Sequence, residues 1–201
     1  MIHAVIFDFG NVVCTFSLDR FLRTISRYSR RSLTDIRRLM PSFSDLGRDY
    51  ESGLISSDRF FEEVKRRAEL AITKTDFVKA YCEIFTPVPE TFQVLRKLKP
   101  NVKLGLVSNT NEWHYRYGIL PVEVFPLFDA VTLSFEVKAL KPARVVYEDI
   151  LAKLMADPGE CAYVDDLQEN VDAALDIGMH AFRYTSPDAL VHSLRALDIS
   201  I

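Results

Sequence analysis

Ala4-Val5-Ile6-Phe7-Asp8-Phe9-Gly10-Asn11-Val12 begins with four consecutive apolar residues and then meets a carboxylate. An unbroken apolar run, rather than an alternating one, suits a strand covered on both faces, as in a parallel sheet. Ligands of open α/β sheets bind beyond the carboxyl ends of the strands, so Asp8 stands where chemistry is expected. Taken alone, it is equally well a turn residue.

Further short runs recur at residues 103–107, 130–133, 161–164 and 180–184, and four of the five are mostly apolar at consecutive positions. Segments of helical period lie between the later ones. Phe92, Val94, Leu95 and Leu98 mark a helix over 89–99 that stops at Pro100, and Val146, Tyr147, Ile150, Leu151 and Leu154 mark another over 143–154. Val171, Ala174 and Leu175 mark a third over 170–177, with Gly178 placed to cap its C-terminus. Strand and helix in alternation predict an α/β fold with a Rossmann-like, doubly wound parallel sheet and right-handed crossovers.

Residues 16–85 break this rhythm, showing helical period and no convincing strand. Leu18, Phe21, Leu22, Ile25 and Tyr28 share one helical face; Phe60, Phe61, Val64 and Ala68 share another, with Ser56 or Ser57 as its N-cap. The reading is a helical cap over 16–87 inserted into a core made of 1–15 and 88–201, with Thr86-Pro87-Val88-Pro89 as the return linker. Its first helix is rich in arginine: Arg20, Arg23, Arg27, Arg30 and Arg31, with Arg37 and Arg38 shortly after. Because these lie opposite the apolar stripe, a solvated face is the expected role, ahead of a basic surface for a phosphorylated substrate.

With 201 residues, 48% hydrophobic and 26% charged, the chain has the composition of an ordinary globular protein, large enough to bury a sizeable core. A net charge of -3 gives no global attraction to nucleic acid or an anionic membrane, so any anion must be bound locally. The three cysteines, Cys14, Cys82 and Cys161, form no CxxC and no zinc-ligand spacing, which fits a reducing compartment. The N-terminal segment reads as a buried strand rather than a targeting signal, and no apolar run nears the roughly 20 residues of a membrane helix. The expectation is a cytoplasmic protein.

Three more segments place polar groups at strand ends or helix entrances. Leu104-Gly105-Leu106-Val107-Ser108-Asn109-Thr110-Asn111 ends in a hydroxyl and a turn whose backbone N–H groups can hold phosphate oxygens, although Ser, Asn and Thr are also common loop residues. Lys141, before Pro142 and a helix, can set a point charge on a phosphate, or can be an exposed helix entrance. Tyr163-Val164-Asp165-Asp166-Leu167-Gln168-Glu169-Asn170 is the strongest of the three. Adjacent acids at a strand end repel unless compensated, which a hard, oxygen-seeking ion such as magnesium would do; the plain alternative is an acidic helix N-terminus.

Asp8, Ser108, Lys141 and Asp165-Asp166, in that order, resemble the haloacid dehalogenase (HAD) superfamily, with its strand-end Asp, a Ser or Thr after the second strand, a Lys before a helix and a late acidic pair. In detail, Asp8-Phe9-Gly10-Asn11-Val12, Val107-Ser108-Asn109-Thr110-Asn111, Leu140-Lys141-Pro142 and Val164-Asp165-Asp166 resemble the branch with sugar-phosphate phosphatases and the phosphatase domain of soluble epoxide hydrolase, which carries a helical (C1-type) cap. The likeness spans residues 1–15 and 88–190.

The resemblance implies a magnesium-dependent hydrolase of phosphorylated small molecules. Asp8 would be the nucleophile, forming an aspartyl-phosphate; Asp8, the Gly10 carbonyl and Asp166 would hold Mg²⁺, with Asp165 behind water or in support; Ser108, Asn109 and Lys141 would bind the phosphoryl oxygens. One position departs from the pattern. Most phosphatases of the family carry a second Asp two residues after the nucleophile as general acid/base, and here that residue is Gly10. Its loss typically lowers rates by on the order of 10²- to 10⁴-fold unless the leaving group needs little protonation. A binding or regulatory protein of low activity, and less readily a 2-haloacid dehalogenase, are the alternatives. His114 is a candidate substitute acid against the plainer reading of a surface histidine, and specificity is expected to reside in residues 39–50 and 113–117.

Overall fold

The computed structural model describes residues 1–201. From the N-terminus, β1 (Ala4–Asp8) leads through a turn into β2 (Cys14–Phe16), and five helices follow: α1 (Leu18–Ser26), α2 (Leu33–Arg38), α3 (Met40–Glu51), α4 (Ser57–Arg67) and α5 (Lys74–Cys82). β3 (Phe85–Pro87) returns the chain to α6 (Pro89–Leu98), β4 (Lys103–Ser108), the short α7 (Glu112–His114), β5 (Ala130–Leu133) and α8 (Ser134–Val137). The chain closes with α9 (Arg144–Leu154), β6 (Cys161–Asp165), α10 (Gln168–Asp176), β7 (His180–Arg183) and α11 (Pro187–Ala196).

Five strands form one parallel sheet in the order β5-β4-β1-β6-β7, matching the expected fold class. The chain starts in the middle, works outward to β5, and then crosses to β6 on the other side of β1, so the topological switch lies at the C-terminal end of β1. Register does the rest. Asp8 pairs with Val107 and Phe7 with Val164, so Asp8, Ser108 and Asp165 come to one rim of the sheet.

Side-chain alternation along β1 explains the two layers. Val5 and Phe7 pack with Leu95, Leu98 and Leu194 on one face, and Ala4 and Ile6 pack with Val146, Ile150 and Ala174 on the other. Both faces are therefore dry, as the unbroken apolar runs require. Gly178, with φ +93°, takes the left-handed turn after α10 that only glycine adopts freely.

Helices α1 to α5 bury a separate cluster that includes Phe21, Ile25, Phe60, Phe77 and Tyr81. Four of them begin on a hydroxyl that accepts from a backbone N–H of the first turn, at Ser17, Ser32, Ser56 and Thr73. Trp113 of α7, outside the insert, joins this cluster and packs edge-on against Tyr50, Phe77 and Tyr81. No helix is long and apolar enough to cross a membrane.

Two details correct the sequence reading. The insert hangs on an antiparallel ribbon of β2 and β3, pairing Cys14 with Pro87 and Phe16 with Phe85, where a strandless segment and a plain linker were expected. Three-residue strands are too short for a periodicity, and Pro87 is tolerated because the ribbon has free edges. Helix α1 ends at Ser26, so Arg30 and Arg31 lie beyond it. Arg20 binds the Glu83 carbonyl and Thr86, while Arg23 and Arg37 share Asp19 and Arg31 meets Glu69.

Candidate active site

The four motifs named from sequence meet at the rim. The side chain of Lys141 is 2% exposed, and its ammonium donates to Asp8 Oδ1 at 2.6 Å and Asp165 Oδ2 at 2.7 Å, with a long contact to the Val107 carbonyl at 3.4 Å. Lys141 is therefore a buried cation, not an exposed helix entrance. Carboxylate oxygens of Asp8, Asp165 and Asp166 lie within 4.8 Å of one another.

Asp165 is saturated. One oxygen accepts from Lys141 and Tyr163, the other from the Leu167 N–H at 2.9 Å and Asn170 at 3.0 Å. Burial opposes its ionisation, yet Lys141, Tyr163 and Asn170 outweigh burial and hold its carboxyl below the usual range. Asp166 accepts only from Asn11 among side chains, at 2.9 Å on Oδ2, and so retains an oxygen for another partner. Asn11 adopts the left-handed conformation, φ 56°, to reach it.

Asp8 is pushed up to about 7, first by burial and further by Asp165 and Asp166, with Lys141 pulling the other way. When all three are ionised, the carboxylates exceed the one ammonium by two negative charges, which a divalent cation would neutralise. The donor set thus fits a hard metal: Asp8 Oδ2 and Asp166 Oδ1 are open, whereas Asp165 can serve only in support.

The phosphate-binding candidates divide by atom. Ser108 is buried against the rim and borders a cavity between sheet and helices. The Asn109 side chain is consumed by Lys141: its amide donates to the Lys141 carbonyl at 3.2 Å and its oxygen accepts the Lys141 N–H at 2.8 Å. That pair fixes Lys141 relative to the β4 turn and leaves the Asn109 backbone for a ligand. Thr110, in turn, is held by Ser134, whose hydroxyl also donates to the Glu51 carbonyl at 2.6 Å. The insert is thereby tied to the turn after β4.

His114 is neither a surface residue nor an acid. Its Nε2 donates to the Tyr81 carbonyl at 3.0 Å, its Nδ1 accepts from Asn111 at 3.1 Å, and its ring stacks on Tyr81. Burial lowers its pKa to about 4, so at neutral pH it has no spare proton.

A model of the haloacid dehalogenase-like hydrolase family matches residues 2–178. The chain belongs to that family. Among similar proteins, D-ribitol-5-phosphate phosphatase of Bacteroides thetaiotaomicron is 23% identical over 192 residues, which is 91% of this chain and 92% of the relative. Among solved structures, a HAD family enzyme of the same organism in complex with magnesium and inorganic phosphate superposes with a TM-score of 0.80 at 19% identity, over 92% of this chain and 95% of the other. A predicted HAD-like family hydrolase from Porphyromonas gingivalis gives a TM-score of 0.80 at 22% identity, with both chains fully covered.

Against this family background, Gly10 gains a structural context. A Cβ built on it would lie 3.2 Å from a ring carbon of Phe16 and 3.8 Å from Asp8 Oδ2. In this HAD-like hydrolase a phenyl ring therefore flanks the place where an acid would stand. The cavity beside it, about 360 Å³, runs from Gly10, Ser108 and Asn109 to the helices of the insert. Helix α3 presents Met40, Phe43, Ser44, Gly47, Arg48 and Glu51 to it, the spacing of one helical face. Glu51 was not singled out from sequence. Burial pushes its carboxyl up to about 7, with Arg48 pulling it down.

Proposed function

We propose that this HAD-like hydrolase is a magnesium-dependent phosphatase of small phosphorylated molecules, with Asp8 as nucleophile and residues 16–87 as a cap over the core. The carrying observation is the gathering of Asp8, Asp165 and Asp166 with carboxylate oxygens within 4.8 Å of one another, the first two on the buried ammonium of Lys141. The relatives support it: one is named a sugar-alcohol phosphate phosphatase, and another is a complex with magnesium and phosphate.

The Asp8 carboxylate is anchored by Lys141 through Oδ1, and one of its oxygens attacks phosphorus in line with the departing oxygen while the other is left to the metal. The phosphorus–oxygen bond of the ester breaks as the Asp8–phosphorus bond forms, and the leaving oxygen takes a proton from solvent. Water then attacks the aspartyl-phosphate, releasing inorganic phosphate and restoring the carboxylate. Ser108 and the Asn109 backbone receive phosphoryl oxygens, and Lys141 joins them by giving up its 3.4 Å contact with Val107. Asp8, the Gly10 carbonyl and Asp166 would hold Mg²⁺, with Asp165 orienting Lys141. Magnesium, when bound, supplies charge neutralisation for the transferring group.

The test is phosphate release from a panel of phosphorylated metabolites, sugar phosphates included, with and without magnesium, alongside Asp8→Asn. Turnover requiring both metal and Asp8 supports the phosphatase. Release no faster than the Asp8→Asn background would favour a binding role for a fold that has Gly10 where an acid is usual. Halide release from 2-haloacids without metal would favour the dehalogenase.

A further inference from the structure

The cavity that opens at Gly10 and Ser108 reads as a specificity pocket, because 13 of its 22 lining residues are hydrophobic. Phe16, Leu18, Phe21, Met40, Phe43 and Phe60 supply its walls. The polar groups there are largely committed. Both His114 nitrogens are occupied by Tyr81 and Asn111, and the Tyr81 hydroxyl already accepts from Asn111. Ser44, Arg48 and Glu51, on one face of α3, remain to meet a ligand.

A polyol would bring several hydroxyls into this space, each of which loses water and needs a partner. An apolar ring would lose nothing polar and would bury its surface against the phenyl walls. Gly10 points the same way by separate reasoning. With no acid beside the departing oxygen, esters of weakly basic leaving groups, such as phenols, react with least handicap. Phe16 at that place offers a ring contact rather than a proton.

We propose that the substrate is a phosphate monoester whose body is an apolar, aromatic-sized group, held by burial in the cap pocket with Arg48 and Glu51 as its one polar anchor. The inference rests on the phosphatase reading and narrows it away from the polyol phosphate named for the Bacteroides relative. The volume of about 360 Å³ is sufficient for such a body, lying at the small end of ligand pockets.

Two alkyl esters of similar leaving ability isolate the pocket from the chemistry: 2-phenylethyl phosphate and ribitol 5-phosphate, assayed with magnesium on the full chain. The expected kcat/KM favours the phenylethyl ester by about tenfold or more, the factor that roughly two buried methylenes supply. Leu18→Asn, at a position 41% exposed and therefore safe for folding, should narrow that ratio. Equal or reversed preference overturns the proposal. Calorimetric binding of phenylphosphonate against inorganic phosphate reads the pocket without turnover. Tighter phosphonate binding supports the proposal and equal binding contradicts it, while absent hydrolysis of every ester despite such binding would instead overturn the phosphatase reading.

Discussion

The Lys141 ammonium stands 2.6 Å from Asp8 Oδ1, and this buried ion pair organises the rim. The same ammonium reaches Asp165 at 2.7 Å, so one cation holds two carboxylates from neighbouring strands. Replacing Lys141 by Met would leave both acids without their counter-charge. We expect a loss of about 3 to 5 kcal/mol in unfolding free energy, measured by urea denaturation, and at least about a hundredfold loss in phosphate release.

Gly10→Asp should restore what the sequence lacks. The backbone of Gly10 is not in the left-handed region, and the new Cβ would be crowded only by Phe16, whose residue is 44% exposed and free to shift by a few tenths of an ångström, with Asp8 Oδ2 in ordinary contact at 3.8 Å. The expected gain in kcat is on the order of tenfold or more for alkyl phosphates, and little for aryl phosphates, whose leaving groups need less protonation. Steady-state rates over a leaving-group series check it; a uniform effect would contradict it.

Glu51 sets a pH dependence of stability. Its folded value of about 7 lies above the ordinary 4.5, so between those values the native state holds a proton that the unfolded chain has released. Stability contributed by the neutral form is full below pH 4.5 and declines as pH rises toward 7. Glu51→Gln should therefore match the parent near pH 4 and exceed it by up to about 3 kcal/mol at pH 8. Denaturant curves of both proteins across that range give the measurement.

Trp113 ties the insert to the core. It lies on α7, directly after the turn that follows Ser108, and its ring packs against Tyr50, Phe77 and Tyr81 of the helical cluster. Trp113→Ala should lower unfolding free energy by about 3 to 5 kcal/mol. A two-step unfolding curve, absent in the parent, would mark uncoupling of insert from core.

Much of this fold is legible in the sequence alone. The sheet announced itself because its central strands β1, β4 and β6 are almost wholly buried, so each is a short, largely apolar run, and these runs end in Asp8, Ser108 and Asp165. The helices between β2 and β3 showed through their hydroxyl N-caps and apolar stripes, Ser56 before Phe60 and Phe61 being the clearest. What stayed hidden depends on tertiary neighbours. His114 is neutral because burial lowers its pKa to about 4, and its two nitrogens are taken by Tyr81 and Asn111. Glu51 looks like one more surface acid until α3 turns it toward the cavity. Phe16 reaches Gly10 only through the β2–β3 ribbon, whose three-residue strands carry no periodic signal.

The convergence of Asp8 and Asp166 on one divalent cation is tested most directly by calorimetric titration of Mg²⁺ into the purified protein. A single saturable site is expected, weakened at least tenfold or so by Asp166→Asn and by Asp8→Asn, since each removes a charged oxygen from the ion. Binding indifferent to both substitutions, or no binding at millimolar magnesium, would contradict the account.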